Sequence, residues 1–447
     1  MKLTEQQIKR IINDHNLNHR EDVIEFINKN PDDLDLQALS RIAELVNNGR
    51  INTSAYYTDG SILTEIEKYL PKINKSVIKI IEPSAGVGNF LEIIIKKYSY
   101  AKKLIIQVND IDRKSIELLK ALNKHRNIPD NVEIIYSNED FLSSSFPNFE
   151  TKYDLAIGNP PFTKLNKKNG LLDYSIIFND NNTTNLSGFF LQKCMDISDR
   201  VVMILPKYFL NAPDFLVTRN RTKAKKIERI LDFGEKGFKG VLIETIALYI
   251  DMLHEADKTI SYSLTKDIEN VQNQQILTSS AFPSWLLYRN DFFNEIASKM
   301  KFDIFDVFRD RQLTNSILKI SGEVPVIKSR NILRDGSSII SINGYDSFID
   351  KNEIEKYAVG KYFEREDVYL SPNMTYYPRV IKKPKNTLIN GSVAVLINKS
   401  NLEIKKEHID FLCSETFERF YSIARNYSTR SLNIDKNSVK FFGLYYK

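Results

Sequence analysis

The chain has 447 residues, 42% hydrophobic and 27% charged, which is too long for one ordinary core, suits two domains of roughly 100–200 residues each, and excludes wholesale disorder. Sixty-three basic against 57 acidic residues leave a net charge of +6, a mild excess that suits a polyanionic partner without requiring one. No apolar run reaches the roughly 20 residues of a membrane span, the N-terminus has no apolar signal segment, and two cysteines with five histidines in no HExxH spacing argue against a disulfide framework or a catalytic metal. The expectation is a cytoplasmic protein with no membrane contact.

Residues 1–50 read as a short helical segment. Thr4 and Gln7 form a capping box ahead of Ile8, Ile11 and Ile12, and Asp35 caps a helix that carries Leu36, Leu39, Ile42, Leu45 and Val46. No nuclease-like carboxylate cluster stands out there.

From residue 76 strands alternate with helices. The strands fall at Val77–Glu82, Leu104–Asp110, Val132–Tyr136, Tyr153–Gly158, Val201–Leu205, Ile227–Phe233 and Thr245–Ile250, with helices at Asn89–Tyr98, Arg113–His125 and Gly188–Ser198. Several strands are almost wholly apolar, as parallel strands covered on both faces are. This rhythm predicts a doubly wound, Rossmann-like α/β domain over 51–260, with ligands outside the carboxyl ends of its strands. After about residue 260 the rhythm is lost. Pieces such as Val324–Lys328 and Leu388–Asn398, the latter with an Asn390-Gly391 turn signal, lie between helical stretches at Tyr288–Met300 and Glu407–Arg425, which predicts a mixed α+β domain over 261–447. Trp285 reads as core.

The segment Ile80-Ile-Glu-Pro-Ser-Ala-Gly-Val-Gly-Asn-Phe90 sits where the first strand turns into a helix. Gly86 and Gly88 allow a tight turn and close approach of a ligand to the backbone. Leu91 stands where a third glycine would complete a dinucleotide fingerprint. Asp110 ends the second strand, where a carboxylate can bond ribose hydroxyls. Asp140-Phe141 follows the third, so Asp140 is placed to accept from an exocyclic amine and Phe141 to pack on a purine. Strand-end capping is the alternative for both acids. The loop has no Lys or Arg to meet a phosphate, so the pattern favours a nucleoside cofactor without pyrophosphate, its cationic arm near Glu82. S-adenosylmethionine fits. The cofactor candidates are Glu82, Ser84, Gly86, Gly88, Asp110, Ile111, Asp140 and Phe141.

Asn159-Pro160-Pro161-Phe162 leaves the fourth strand beside that crevice. Consecutive prolines stiffen the backbone, so a carbonyl and the Asn159 amide are aimed at one point. On these residues the chain resembles the gamma group of amino-group DNA methyltransferases that make N6-methyladenine: cofactor motif first, then (D/N/S)PP(Y/F), then a C-terminal target-recognition domain. Tyr56-Tyr57-Thr58 resembles that group's further cofactor motif, and Phe238-Lys-Gly-Val-Leu-Ile-Glu-Thr245 the motif whose aromatic packs on the target base. Arg425-Asn-Tyr-Ser-Thr-Arg-Ser-Leu-Asn-Ile-Asp435 is more loosely similar to methyltransferases of type IIS systems. The specific part of the likeness covers about residues 54–250.

The resemblance implies an S-adenosylmethionine-dependent enzyme that acts on double-stranded DNA as the modification component of a restriction-modification system, with a separately encoded endonuclease. It adds Tyr57 and Thr58 to the cofactor site, makes Asn159, Pro160, Pro161 and Phe162 catalytic, and sets Phe162 and Phe238 against a flipped adenine. Two rival readings stand beside it: methylation of a protein glutamine or an RNA base, and a non-catalytic DNA-specificity subunit.

For DNA contacts the basic stretch 218–226 offers Arg219 and Arg221, and the polar segment 163–187 offers Lys164 and is expected to be a mobile loop without DNA. The C-terminal domain offers Lys328, Arg330, Arg379, Arg425 and Arg430. Plain surface charge is the alternative for each.

Overall fold

Runs of Ile, Leu and Val too apolar to face water on either side must be covered on both, and the chain does this with a large central sheet. The computed structural model describes residues 3–47, 60–146, 152–166, 168, 170–237, 243–374, 376–429 and 433–446. It divides into two units, Met1–Leu277 and Thr278–Lys447.

In the first unit, α1 (Glu5–Asp14), α2 (Arg20–Lys29), α3 (Leu36–Val46) and α4 (Gly60–Lys68) precede β1 (Val77–Glu82). Then follow α5 (Leu91–Tyr98), β2 (Lys103–Asn109), α6 (Arg113–Asn123), β3 (Val132–Ser137), β4 (Leu155–Gly158), α7 (Leu171–Ile177), α8 (Leu186–Ile197), β5 (Arg200–Pro206), α9 (Leu216–Lys223), β6 (Lys226–Gly234), β7 (Thr245–Asp251), β8 (Lys258–Ser263), β9 (Ile268–Asn273) and α10 (Gln274–Leu277). The sheet order is β3-β2-β1-β4-β5-β7-β6-β8-β9. β1 pairs in parallel with β2 and β4, and β7 is antiparallel to both β5 and β6.

Two boundaries differ from the expectation. The hairpin β8–β9 joins the sheet through a parallel pairing of β6 with β8, Arg229↔Ile260 to Asp232↔Ser263, so the first unit runs to Leu277 and not to 260. Residues 3–47 do not stand apart either. Ile8, Val23, Ile27, Leu39 and Ile42 form one core with Leu118, Ala121 and Leu122 of α6 and with Val87 of the glycine turn. Thr4 and Gln7 make the expected capping box, and Asp35 caps α3 at 2.8 Å from the Ala38 N–H.

The second unit holds α11 (Asp291–Ser298), β10 (Met300–Lys301), β11 (Phe305–Arg309), β12 (Val324–Ile327), β13 (Ser347–Ile349), β14 (Tyr369–Pro372), β15 (Ile381–Lys382), β16 (Leu388–Ile389), β17 (Val393–Asn398), α12 (Lys406–Leu412), α13 (Glu415–Ala424) and β18 (Leu444–Tyr445). Its larger sheets run β11-β17-β14-β15 and β13-β12-β16. Leu388–Asn398 is therefore two strands in two sheets and not one piece. Asn390 and Ser392 bond each other at the break, which turns the chain from one sheet into the other. The stretch 407–425 is likewise two helices, because Ser414 caps a new one at the Phe417 N–H. Trp285 is buried, as expected.

Candidate active site

The carboxyl ends of β1, β2 and β4 are neighbours in the sheet, so three separate stretches of sequence meet at one edge. Gly86 and Gly88 have φ of +60° and +79°, the left-handed region that glycine enters without strain. A Cβ on Gly88 would meet Leu119 Cδ1 at 2.3 Å, so α6 packs directly against the turn.

The turn is held from several sides. Asp110 Oδ2 accepts from the Gly86 N–H at 2.9 Å, and its Oδ1 accepts from the Asp112 N–H at 3.0 Å. Arg126 donates to the Gly88 carbonyl at 3.3 Å. Burial pulls the Arg126 pKa below the usual guanidinium value, against the nearby charges of Glu92 and Glu82. Asn89 Nδ2 reaches Glu44 of α3 at 2.7 Å. No spacing in the sequence pointed to Arg126 or Glu44.

Asp110 is thus both a strand-end cap and a crevice acid. A carboxylate at this strand end stands where the fold places ligand hydroxyls. Glu82 is buried at the end of β1. Ile111 is 70% exposed, and Asn138 fixes its loop by donating to the Asp110 and Ile111 carbonyls at 2.8 and 3.0 Å. A large aliphatic side chain held open beside an acid suits a ligand with an apolar face and hydroxyls next to it.

The tetrapeptide sits against this turn. Ser84 Oγ donates to the Asn159 carbonyl at 3.3 Å. On its far side, Asn185 donates to the Phe162 carbonyl at 3.0 Å while its Oδ1 caps α8 through Ser187. The Leu165 N–H bonds the Thr184 carbonyl at 2.6 Å and the Leu186 N–H the Thr163 carbonyl at 2.9 Å. Asn159 and Pro161 are half-buried and Pro160 is buried.

Several expectations need correction. Phe162 is only 6% exposed and belongs to the main core, so its ring has little surface left for a base. Phe141 is 2% exposed, with its ring stacked on Phe190 at 5.1 Å and edge-on to Phe146, so it offers no face to a purine. Asp140 is bonded by the Leu142 N–H and by the Tyr174 hydroxyl at 3.2 Å. The 163–187 segment is no bare loop. It contains α7 and is pinned by the buried Asp180, which accepts from Thr183 and Gln192.

The basic residues fare worse. Arg219 is buried, with its guanidinium on the Phe209 and Ala212 carbonyls, and burial pulls its pKa down to about 10. Arg221 is taken up by Gln192 and Asp196. Lys164 pairs with Asp214 at 3.0 Å but is otherwise exposed. In the second unit Arg379 donates to the carbonyls of Ser329, Ile332 and Tyr377, and Arg425 is buried beside Tyr421. Arg219 and Arg425 are buried, while Arg221 and Arg379 stay half-exposed with these bonds made. Lys328 and Arg330 stay accessible beside Tyr345. Tyr57, Thr58, Phe238 and Arg430 lie outside the described residues.

A buried charge group escaped the sequence reading. Lys207, just past β5, bonds Asp232 Oδ2 at 2.8 Å and lies 3.6 Å from Glu244 Oε1, and its N–H donates to the Glu244 carbonyl. All three side chains are buried.

Two phenols in this unit give a pH prediction. Burial, and then the charge of Asp140, pushes the Tyr174 pKa up to about 12, and burial does the same for Tyr153, which donates to Gln107. Both folded values lie above the unfolded value of about 10. Their contribution is complete below about pH 10 and is lost as pH rises through about 12. The urea midpoint should fall across that window, and less steeply in a Tyr153→Phe/Tyr174→Phe double variant. An identical fall would contradict the assignment.

A parallel sheet in this order, with an antiparallel strand beside β5, a glycine turn after β1, an acid after β2 and Asn-Pro-Pro-Phe after β4, defines a Rossmann-like methyltransferase domain. Residues 51–238, which take in β1 to β6, match the model of the Eco57I restriction-modification methylase family. A comparison with curated proteins finds no match. Among solved structures, one described as a class I S-adenosylmethionine-dependent methyltransferase from Listeria monocytogenes is 15% identical, with a TM-score of 0.42 over 53% of this chain and 75% of that one. A modification subunit of a type I restriction enzyme from Vibrio vulnificus YJ016 is 17% identical, with a TM-score of 0.41 over 51% of this chain and 52% of that one. The type IIG restriction endonuclease BpuSI is 13% identical, with a TM-score of 0.49 over 92% of this chain and 61% of that one. The chain thus spans little more than half the length of these two restriction proteins. Likeness at this level is too low to argue from.

Proposed function

We propose that the chain is a DNA methyltransferase that uses S-adenosylmethionine to methylate N6 of a flipped adenine in double-stranded DNA, as the modification component of a restriction-modification system whose endonuclease is a separate chain. The observation that carries this reading is the position of Asn159-Pro160: at the end of β4, tied by its backbone to Ser84 of the glycine turn. On this reading the Asn159 side-chain oxygen and the Pro160 carbonyl, braced by the prolines, are the two acceptors for the target amine.

The residues present suit that cofactor. Asp110 supplies a carboxylate for the ribose hydroxyls, Ile111 an open apolar face for a purine, and Glu82 and Asp140 carboxylates for the ammonium arm and the exocyclic amine. The turn carries no cation for a phosphate. When bound, S-adenosylmethionine supplies an electrophilic methyl group on a sulfonium.

The rest falls to the chain's own residues. A stacked base is out of reach, so the adenine must leave the duplex. Its N6 lone pair is delocalised into the ring. The Asn159 side-chain oxygen and the Pro160 carbonyl accept the two N6–H bonds and draw the nitrogen toward a tetrahedral, nucleophilic shape. Held so, N6 would lie in line with the sulfonium methyl, whose C–S bond would break to leave a thioether as the N–C bond forms, and the surplus N6 proton would pass to water. Orientation and electrostatics do this without a covalent enzyme intermediate. Phe162 would have to swing out of the core to offer a face to the base.

Asp110→Ala should weaken S-adenosylmethionine binding roughly ten- to a hundredfold, the size of a lost charge-assisted bond, with DNA affinity unchanged. Calorimetric titration checks this, and unchanged cofactor affinity would remove Asp110 from the site. Single-molecule sequencing of DNA from cells that express the chain tests the reading as a whole. It should find N6-methyladenine in one sequence context. Unmodified DNA together with methyl label in protein or RNA would overturn it.

A further inference from the structure

The second unit contains a cavity that no motif announced. It has a volume of about 410 Å³ and is lined in part by Lys328, Tyr345, Ser347, Asn390 and Ser392. Strand register explains why these residues meet. β12 and β16 run in parallel with Ile327 opposite Ile389, so Lys328 and Asn390 each follow directly at the same sheet end. β13 is antiparallel to β12, with Ser347 opposite Val326, which brings Tyr345 and Ser347 to that end as well.

Asn390 forms a fixed floor. It is 8% exposed, and its Oδ1 accepts from the Ser392 N–H at 3.1 Å and from Ser392 Oγ at 2.6 Å. A backbone N–H is only a donor, so the amide cannot be flipped, and its two N–H donors are left for the cavity. They meet no acceptor among the described residues. Ser392 Oγ in turn accepts from the Ser329 N–H at 3.0 Å, which ties this floor to the chain next to Lys328. The Lys328 ammonium lies 3.9 Å from the centre of the Tyr345 ring and donates to Ser347 Oγ at 2.9 Å, and the Arg330 guanidinium lies 4.7 Å from the same ring centre. The neighbouring acids are engaged. Asp346 accepts from Ser341, Asn331 and the Ile342 N–H, and Asp350 pairs with Lys319. Asp346 and Lys319 line the cavity too, so the Asp346 carboxylate offsets part of the charge of the two lysines, while the Asn390 amide and the Lys328 ammonium are the donors there.

We propose that this cavity takes an acceptor-bearing edge of double-stranded DNA: the O6 and N7 of a guanine in the major groove, or phosphate oxygens, both of which match donors alone. The inference rests on the reading of the chain as a DNA methyltransferase and assigns a DNA contact to its second unit.

Asn390→Asp is the sharpest test, because it keeps an acceptor for Ser392 while reversing the polarity of the floor. Lys328→Ala is its companion, since it leaves the floor intact. Both are made in the full chain, and duplex affinity over a salt series, melting midpoint and the sequence context of methylated adenines are measured. Each variant should lose at least tenfold in DNA affinity with an unchanged melting midpoint. A guanine contact also relaxes the methylated motif at one position. A phosphate contact weakens all sequences alike and, for Lys328→Ala, lowers the salt slope by about 1. Wild-type affinity and motif in both variants of an active enzyme overturn the cavity and leave the functional reading standing. A wild-type chain that binds duplex through these residues without methylating it overturns the functional reading and leaves the cavity. A wild-type chain that neither binds nor methylates duplex overturns both.

Discussion

Replacing Asn159 with alanine should lower methyl transfer by about 100- to 1,000-fold, the usual cost of removing one preorganised hydrogen-bond partner from a developing charge, and leave S-adenosylmethionine affinity where it was. The separation follows from how the residue is held. Ser84 Oγ bonds the backbone carbonyl of Asn159, which alanine keeps, so the tetrapeptide stays docked on the glycine turn. The cofactor candidates Asp110 and Ile111 belong to another strand end. Only the amide that accepts from the target amine is removed. Single-turnover methylation beside cofactor titration reads the two effects apart. An equal loss in affinity and turnover would place Asn159 in the cofactor site and not at the amine.

The second large effect concerns stability. Lys207→Met should destabilise the first unit by about 3–5 kcal/mol, because it takes an ammonium away from two buried carboxylates. The ammonium lies 2.8 Å from Asp232 and 3.6 Å from Glu244, all three side chains are buried, and the Asp232 Oδ1 is already committed to the Gly234 N–H. In a unit of this size the loss corresponds to a drop of roughly 10 °C in melting midpoint. Calorimetry of the full chain measures it. Asp232→Asn added to Lys207→Met should recover part of the loss, since one of the two buried charges is gone. A midpoint within about 1 °C of wild type would mean that the acids find other partners.

The sheet was legible because its strands announce themselves twice, by apolar runs and by turn residues at their carboxyl ends. The place of Gly86, Gly88, Asp110 and Asn159 just past strand ends was legible for the same reason. The hairpin β8–β9 was not. Its strands alternate, as β9 does along Ile268–Asn273, and they resemble the start of another domain until β8 pairs with β6. The N-terminal helices were found but not their place. Amphipathic spacing tells which face is buried but not which partner buries it, here α6 and Val87.

Charge was the poorest guide. Arg219 and Arg379 look like phosphate contacts in a row of letters, yet a guanidinium with five donors can equally serve to satisfy carbonyls inside a fold. Lys207, Arg126 and Asn185 were passed over because each acts through residues far away in the chain, and no spacing encodes that. Phe141 and Phe162 were read as platforms for bases from their motifs. Each is packed as core, the former on Phe190.

The most direct measurement is to supply the full chain with duplex DNA and S-adenosylmethionine carrying a deuterated methyl group, digest the DNA to nucleosides and weigh them. The account predicts N6-(trideuteromethyl)deoxyadenosine with the wild-type chain and almost none with Asn159→Ala. Label on cytosine, on protein or on RNA in place of deoxyadenosine, or equal label from both chains, would contradict it.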